Sequence, residues 1–178
     1  KKMNNLYNKL DGSFYYTMAK SYLKQIGYAD LREEDFIYKT YYILRHMSFY
    51  RGNGFSSELF ASCLTQCLEL KKIPYELIVT TPANITRPEN IIFRNEPEWM
   101  VKVKDKYVFN ATVFSNPYDF KEEFLNTPAY IISLGKNPTA TPITLPGSKP
   151  EENVLTNTIT AFVDTATRNM IVTNQAAV

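Results

Sequence analysis

The sequence predicts an α+β fold, helices first and strands after, on three observations. Apolar residues recur at helical spacing as far as Leu70. The period then shifts to strand-like runs just beyond Pro74. A proline-rich stretch separates these runs from a weakly alternating tail.

Residues 3–27 read as helical with a break at Asp11-Gly12. Ser13 suits an N-cap and Gly27 a stop. Asp30 can cap a second helix, with Glu33 three residues on as in a capping box. Phe36, Ile37, Tyr41, Ile43, Leu44 and Met47 carry that helix to about His46-Met47. Gly52-Asn53-Gly54 then makes a tight turn. A central helix is expected over Phe55–Leu70. Phe55, Leu59, Cys63 and Cys67 recur at steps of four, with Phe60, Leu64 and Leu68 as a second row, so most of its circumference is buried. Lys71 and Lys72 suit its C-terminal end, and Pro74 stops it.

Tyr75–Thr81 reads as a strand, Pro82–Asn90 as a loop and Ile91–Arg94 as a short strand. Trp99–Val103 and Tyr107–Phe114, joined by Lys104-Asp105-Lys106, read as a hairpin that Asn116-Pro117 ends. Phe120–Leu125 suits one or two helical turns, and Tyr130–Leu134 is a short apolar run. NPTATPITLPGSKPEEN holds four prolines and reads as a linker or an extended edge segment. The expected organisation is an α+β domain over 1–135, a linker over 136–150, and a β-strand extension, or the start of a following β domain, over 151–178.

The 178 residues are 44% hydrophobic and 21% charged, which suits one domain with a core of its own. A net charge of +2 with scattered basic residues argues against nucleic-acid binding. No apolar run approaches the ~18 residues of a bilayer span, so no membrane insertion is expected. No signal peptide is legible, and a start at Lys1 without Met suits a piece of a longer protein. Cys63 and Cys67, four apart on one helix, are poorly placed to bridge each other. With His46 the only histidine, no structural metal and no cofactor are expected.

Three stretches together, EEDFIYKTYYILRHMSFY, GFSSELFASCLTQCLELKKIPYELIVTT and EWMVKVKDKYVFNATV, resemble the core of the transglutaminase-like superfamily, a branch of the papain-like cysteine enzymes. The likeness covers about residues 32–134. In that family a Gly-x-Cys motif opens the central helix, a His begins one strand of a hairpin, and an Asp lies near the end of the next. The chain is most similar to the type found in multidomain bacterial envelope proteins, where the core lies between β-rich domains. That implies flanking β domains as partners and a periplasmic, cell-surface or secreted location. Matched residue by residue, Gly-x-Cys becomes Gly54-Phe55-Ser56, the His position falls at Glu98, and the Asp position falls at Asn110. Asn53, Gly54, Trp99 and His46 are the candidates to line the cleft. Glu98 and Asn110 are expected opposite each other across the hairpin, on a common face.

The replacements remove the chemistry that the family depends on. A thiolate at a helix start is stabilised by the helix dipole and by a neighbouring imidazolium, whereas a serine hydroxyl needs a strong base. The resemblance therefore implies a catalytically inactive domain, a binding or scaffold module for a peptide, protein or glycan. The alternative is an active cysteine- or serine-type peptidase or amidotransferase. Its nucleophile would be Ser56, or a relocated Cys63 or Cys67, and its base Glu98 or His46. Each of these residues also has a plain structural reading: Ser56 as a helix cap, the thiols as core, His46 as a cation at a helix C-terminus, and Trp99 as core.

Overall fold

The computed structural model describes residues 12–50, 52, 54–81, 97–112, 115–134, 137–147, 156–164 and 169–177. It divides into two compact units, Lys1–Leu145 and Pro146–Val178. The first has three described helices and a five-stranded antiparallel sheet, so the α+β class holds.

Helix α1 spans Gly12–Gln25. Ser13 lies inside this range rather than ahead of it, and residues before Gly12 fall outside the described ones. Gly27 stops the helix as expected: at φ 67 it enters the left-handed region, and its N–H donates to the Lys24 carbonyl at 3.1 Å. Helix α2 spans Glu33–Tyr50. Its expected cap, Asp30, is instead held in a short 3-10 turn over Tyr28–Asp30, and Leu31 is extended between the two. The capping position falls to Arg32, whose carbonyl accepts from Phe36 N–H at 2.9 Å and whose guanidinium clamps Asp35 through two bonds.

Helix α3 spans Ser57–Leu70 and starts just inside the expected Phe55, because Ser56 is its N-cap. The apolar rows are core: Cys63, Leu64, Cys67 and Leu68 are completely buried, and Phe60 is 1% exposed. Just past its end, the Lys71 ammonium donates to the carbonyls of Tyr28, Ala29 and Leu31, which ties α3 to the α1–α2 connection.

The strands are β1 Glu76–Thr80, β2 Glu98–Val103, β3 Lys106–Val108, β4 Pro128–Ser133 and β5 Thr139–Thr144. Their order is β3-β2-β1-β4-β5, so the strand that follows α3 is central. Alternation sorts the sheet into two faces. Leu77, Val79, Trp99, Val101 and Val103 pack with the helices. Ile78, Met100 and Ala129 pack on the other side under Phe109, Phe124 and Leu145. A 3-10 turn over Glu122–Phe124 falls within the stretch expected to be helical.

Two expectations change. The second hairpin strand, expected over Tyr107–Phe114, ends at Val108. The chain leaves the ladder there because Asn110 turns its amide to the start of α3, and Val113 and Phe114 lie outside the described residues. The stretch 136–150, expected as a linker or an extended edge segment, supplies the edge strand β5. Thr139–Thr144 pairs along the whole of β4, and Leu145 is 2% exposed in the far-face core. A proline, Pro142, is tolerated because β5 is an edge strand. The boundary between the units falls after Leu145. The loop and short strand expected over Pro82–Arg94 lie outside the described residues. No described helix is long and apolar enough to cross a membrane.

In the second unit, β6 Thr156–Asp164 and β7 Asn169–Ala177 form an antiparallel hairpin in register from Thr156↔Ala177 to Asp164↔Asn169. The weak alternation of the tail is that hairpin.

Candidate functional site

The start of α3 is built by a tight turn. Gly54 has φ 72, a conformation that disfavours any side chain. The next N–H, that of Phe55, donates to the buried Ser48 hydroxyl at 2.7 Å. Asn53 lies outside the described residues. The chain then enters α3 with Ser56 extended, and the Ser56 Oγ accepts from Leu59 N–H at 3.2 Å. This hydroxyl is occupied as a helix cap. Neither His46 nor Glu98 is hydrogen-bonded to Ser56 among the described residues.

The neighbouring hydroxyl joins the helix start to the sheet. Ser57 Oγ accepts from Trp99 N–H at 3.1 Å and donates to the Pro97 carbonyl at 3.4 Å. Asn110 approaches from the hairpin side, its amide donating to the Phe55 carbonyl at 2.7 Å. Two of the three matched positions, those of Ser56 and Asn110, thus meet at the mouth of α3.

Glu98 does not join them. In the β2–β3 register Val101 faces Val108 and Lys102 faces Tyr107. Carried past the end of β3, that register puts Trp99, not Glu98, across from Asn110. Trp99 packs on the helix side and is 7% exposed, so it is core. Glu98 alternates with it onto the other face, where its carboxylate accepts from the Lys121 ammonium at 2.8 Å. That ammonium lies over the rings of Phe109 and Phe124, at 5.5 and 5.9 Å. The common face expected for Glu98 and Asn110 is therefore corrected by one residue of register, which reverses the side.

The other candidates are apart from this point. His46 packs its ring on Tyr50, with centroids 4.8 Å apart, and lines an α1–α2 groove with Phe14, Tyr15 and Tyr22. The two thiols are fully buried, and burial pushes both up to about 12. Neither is a thiolate near neutral pH.

Beside Asn110 the surface opens into a cleft of about 320 Å³. Its apolar wall is Tyr41, Phe109 and Phe120, and its polar wall includes Asn110, Ser115, Asn116, Asp119, Lys121 and Glu123. The polar wall is braced. Tyr41 and Ser115 share a 2.6 Å hydroxyl bond, and Asp119 accepts from both nitrogens of Asn116, at 2.7 and 3.2 Å. Burial raises the Tyr41 hydroxyl above its ordinary value, so it stays protonated in neutral water. The sequence carries no local signal for Lys121 or Ser115 as site residues, and Tyr41 is legible there only as an apolar position of α2. Asn116-Pro117 is legible there only as the end of the hairpin.

Glu58, in the first turn of α3, carries a carboxylate oxygen that is buried with no hydrogen-bond partner. Burial raises its pKa above the usual 4.5. A folded-state pKa above the unfolded one stabilises the fold below about 4.5, and that contribution is lost as pH rises through the folded value. Glu58→Gln is expected to raise the melting temperature at pH 7 and to leave it unchanged at low pH. Melting curves of both proteins across that range check it; an equal shift at every pH would contradict the assignment.

No protein-family model, no curated protein and no solved structure matches the chain.

Proposed function

We propose that the first unit is a degenerate transglutaminase-like core without catalytic chemistry, serving as a binding or scaffold module in a larger cell-envelope protein. The observation that carries this reading is the commitment of Ser56. Its hydroxyl caps α3 through Leu59 N–H, at the position where the family's thiol would stand. Further support comes from order and contact. A tight glycine turn, a buried helix, a central strand and a hairpin follow one another, and the hairpin's Asn110 reaches the helix mouth. Glu98 is neutralised by Lys121 on the other face of the sheet, so no base adjoins Ser56 from that position.

A hydrolase or amide-transfer enzyme needs a nucleophile and a base within about 3 Å, or joined by one water. Ser56 has neither described candidate as a hydrogen-bond partner, and the thiols are protonated in the core. Screens of peptide hydrolysis and of amine incorporation into glutamine-containing peptides are expected to give no turnover above background. Ser56→Ala should change only stability, by about 1 kcal/mol for a lost cap. Turnover that disappears in Ser56→Ala would overturn the proposal.

A further inference from the structure

The cleft beside Asn110 has a composition that selects among ligands. Its volume, about 320 Å³, lies at the lower end of small-molecule sites. Its open charges are acidic. Asp119 and Glu123 stand in the wall, and the Lys121 ammonium beside them is already paired with Glu98. An anionic ligand therefore has no field to bind to.

Among the described residues, the main chain at Thr112, Asn116 and Asp119 is already committed. Thr112 N–H donates to Ser115 Oγ, and the Thr112 carbonyl accepts from Ser115. Asn116 N–H donates to Asp119, and Asp119 N–H donates back to the Asn116 carbonyl. A peptide recognised through its backbone would need a row of free N–H and C=O groups, and β3 has already ended at Val108. What the cleft offers is side chains: the carboxylates of Asp119 and Glu123, the N–H groups of Lys121 not bonded to Glu98, and the half-buried ring of Phe120. Groups that both give and accept hydrogen bonds, beside an apolar ring wall, suit a ligand with hydroxyls around its edge and C–H faces.

We propose that this cleft takes a neutral sugar unit of a glycan. The proposal deepens the reading of the domain as a binding module and rests on that reading. Asp119 and Glu123 accept from sugar hydroxyls, Lys121 donates with the N–H groups that its bond to Glu98 leaves over, and the Phe120 side of the cleft meets the sugar's C–H face.

The test is a titration of isotope-labelled protein, followed by its amide resonances. Glucose, galactose, mannose, N-acetylglucosamine and their disaccharides are each added to about 50 mM, enough to saturate a millimolar site. At least one is expected to give saturable shifts at Asn110, Asn116 and Asp119. Glu123→Ala, at an exposed position, should weaken that binding about tenfold or more, as loss of a charged acceptor does, without changing the melting temperature. Tyr22→Ala, in α1 and outside the cleft, should leave it unchanged. The proposal is overturned if no sugar gives a saturable shift, if Glu123→Ala has no effect, or if an alanine or lysine peptide moves these amides more strongly. A failed titration leaves the absence of turnover standing, and turnover in the screens leaves the titration standing, so the two readings fail separately.

Discussion

Leu64→Asp is expected to abolish the cooperative unfolding transition of the first unit. Leu64 is completely buried in α3, flanked along its row by Phe60 and Leu68, which are 1% and 0% exposed. A carboxylate there has no partner. It either stays charged in an apolar interior or takes up a proton at a cost of several kcal/mol. The cavity left by the leucine adds its own term. Domains of this size are stable by about 5–15 kcal/mol, so the loss takes most of the margin. Circular dichroism and calorimetry read the result, and a soluble, cooperatively melting Leu64→Asp protein would contradict the placement of α3 at the centre of the core.

Lys71→Met is expected to lower stability by about 2–4 kcal/mol, since bonds from a charged donor contribute more than neutral ones. The methionine keeps the apolar stem and removes the ammonium. Three carbonyls, those of Tyr28, Ala29 and Leu31, lose their common donor, and the contact of the ammonium with the Phe36 ring, at 5.8 Å, goes with it. The connection between α1 and α2 should loosen first. Faster amide exchange at Leu31, whose N–H donates to Tyr28 within that turn, would mark it. A denaturant midpoint unchanged from the native protein would show that the clasp adds nothing.

The elements fixed by strong local signals were legible in the sequence. The doubled apolar rows of α3 and the glycine stop of α1 needed no tertiary information. The cap of α2 was misplaced because Asp30 and Arg32 compete locally, and the extended Leu31 decides between them. By composition alone the proline-rich stretch reads equally as a linker or as an extended edge segment. Its role as β5 depends on pairing with β4, and a composition reading cannot register a partner strand. The candidate site was legible in part. Ser56 and Asn110 do lie at one helix mouth, a placement that order and spacing could suggest. Glu98 was placed on the wrong face because a hairpin register one residue different turns every side chain over. Lys121 was invisible: its partnership with Glu98 spans 23 residues and is set by the loop that carries Phe120 and Phe124.

The mouth of α3 holds a cap and no nucleophile on this reading. The most direct test is mass spectrometry of the native protein after treatment with serine-reactive fluorophosphonate and with iodoacetamide at neutral pH. No adduct is expected at Ser56, because its hydroxyl accepts from Leu59 N–H with no described base bonded to it. None is expected at Cys63 or Cys67 until the protein is denatured, because both thiols are buried and burial pushes their pKa up to about 12. Rapid, stoichiometric labelling of Ser56 in the folded protein, or of either cysteine, would contradict that reading.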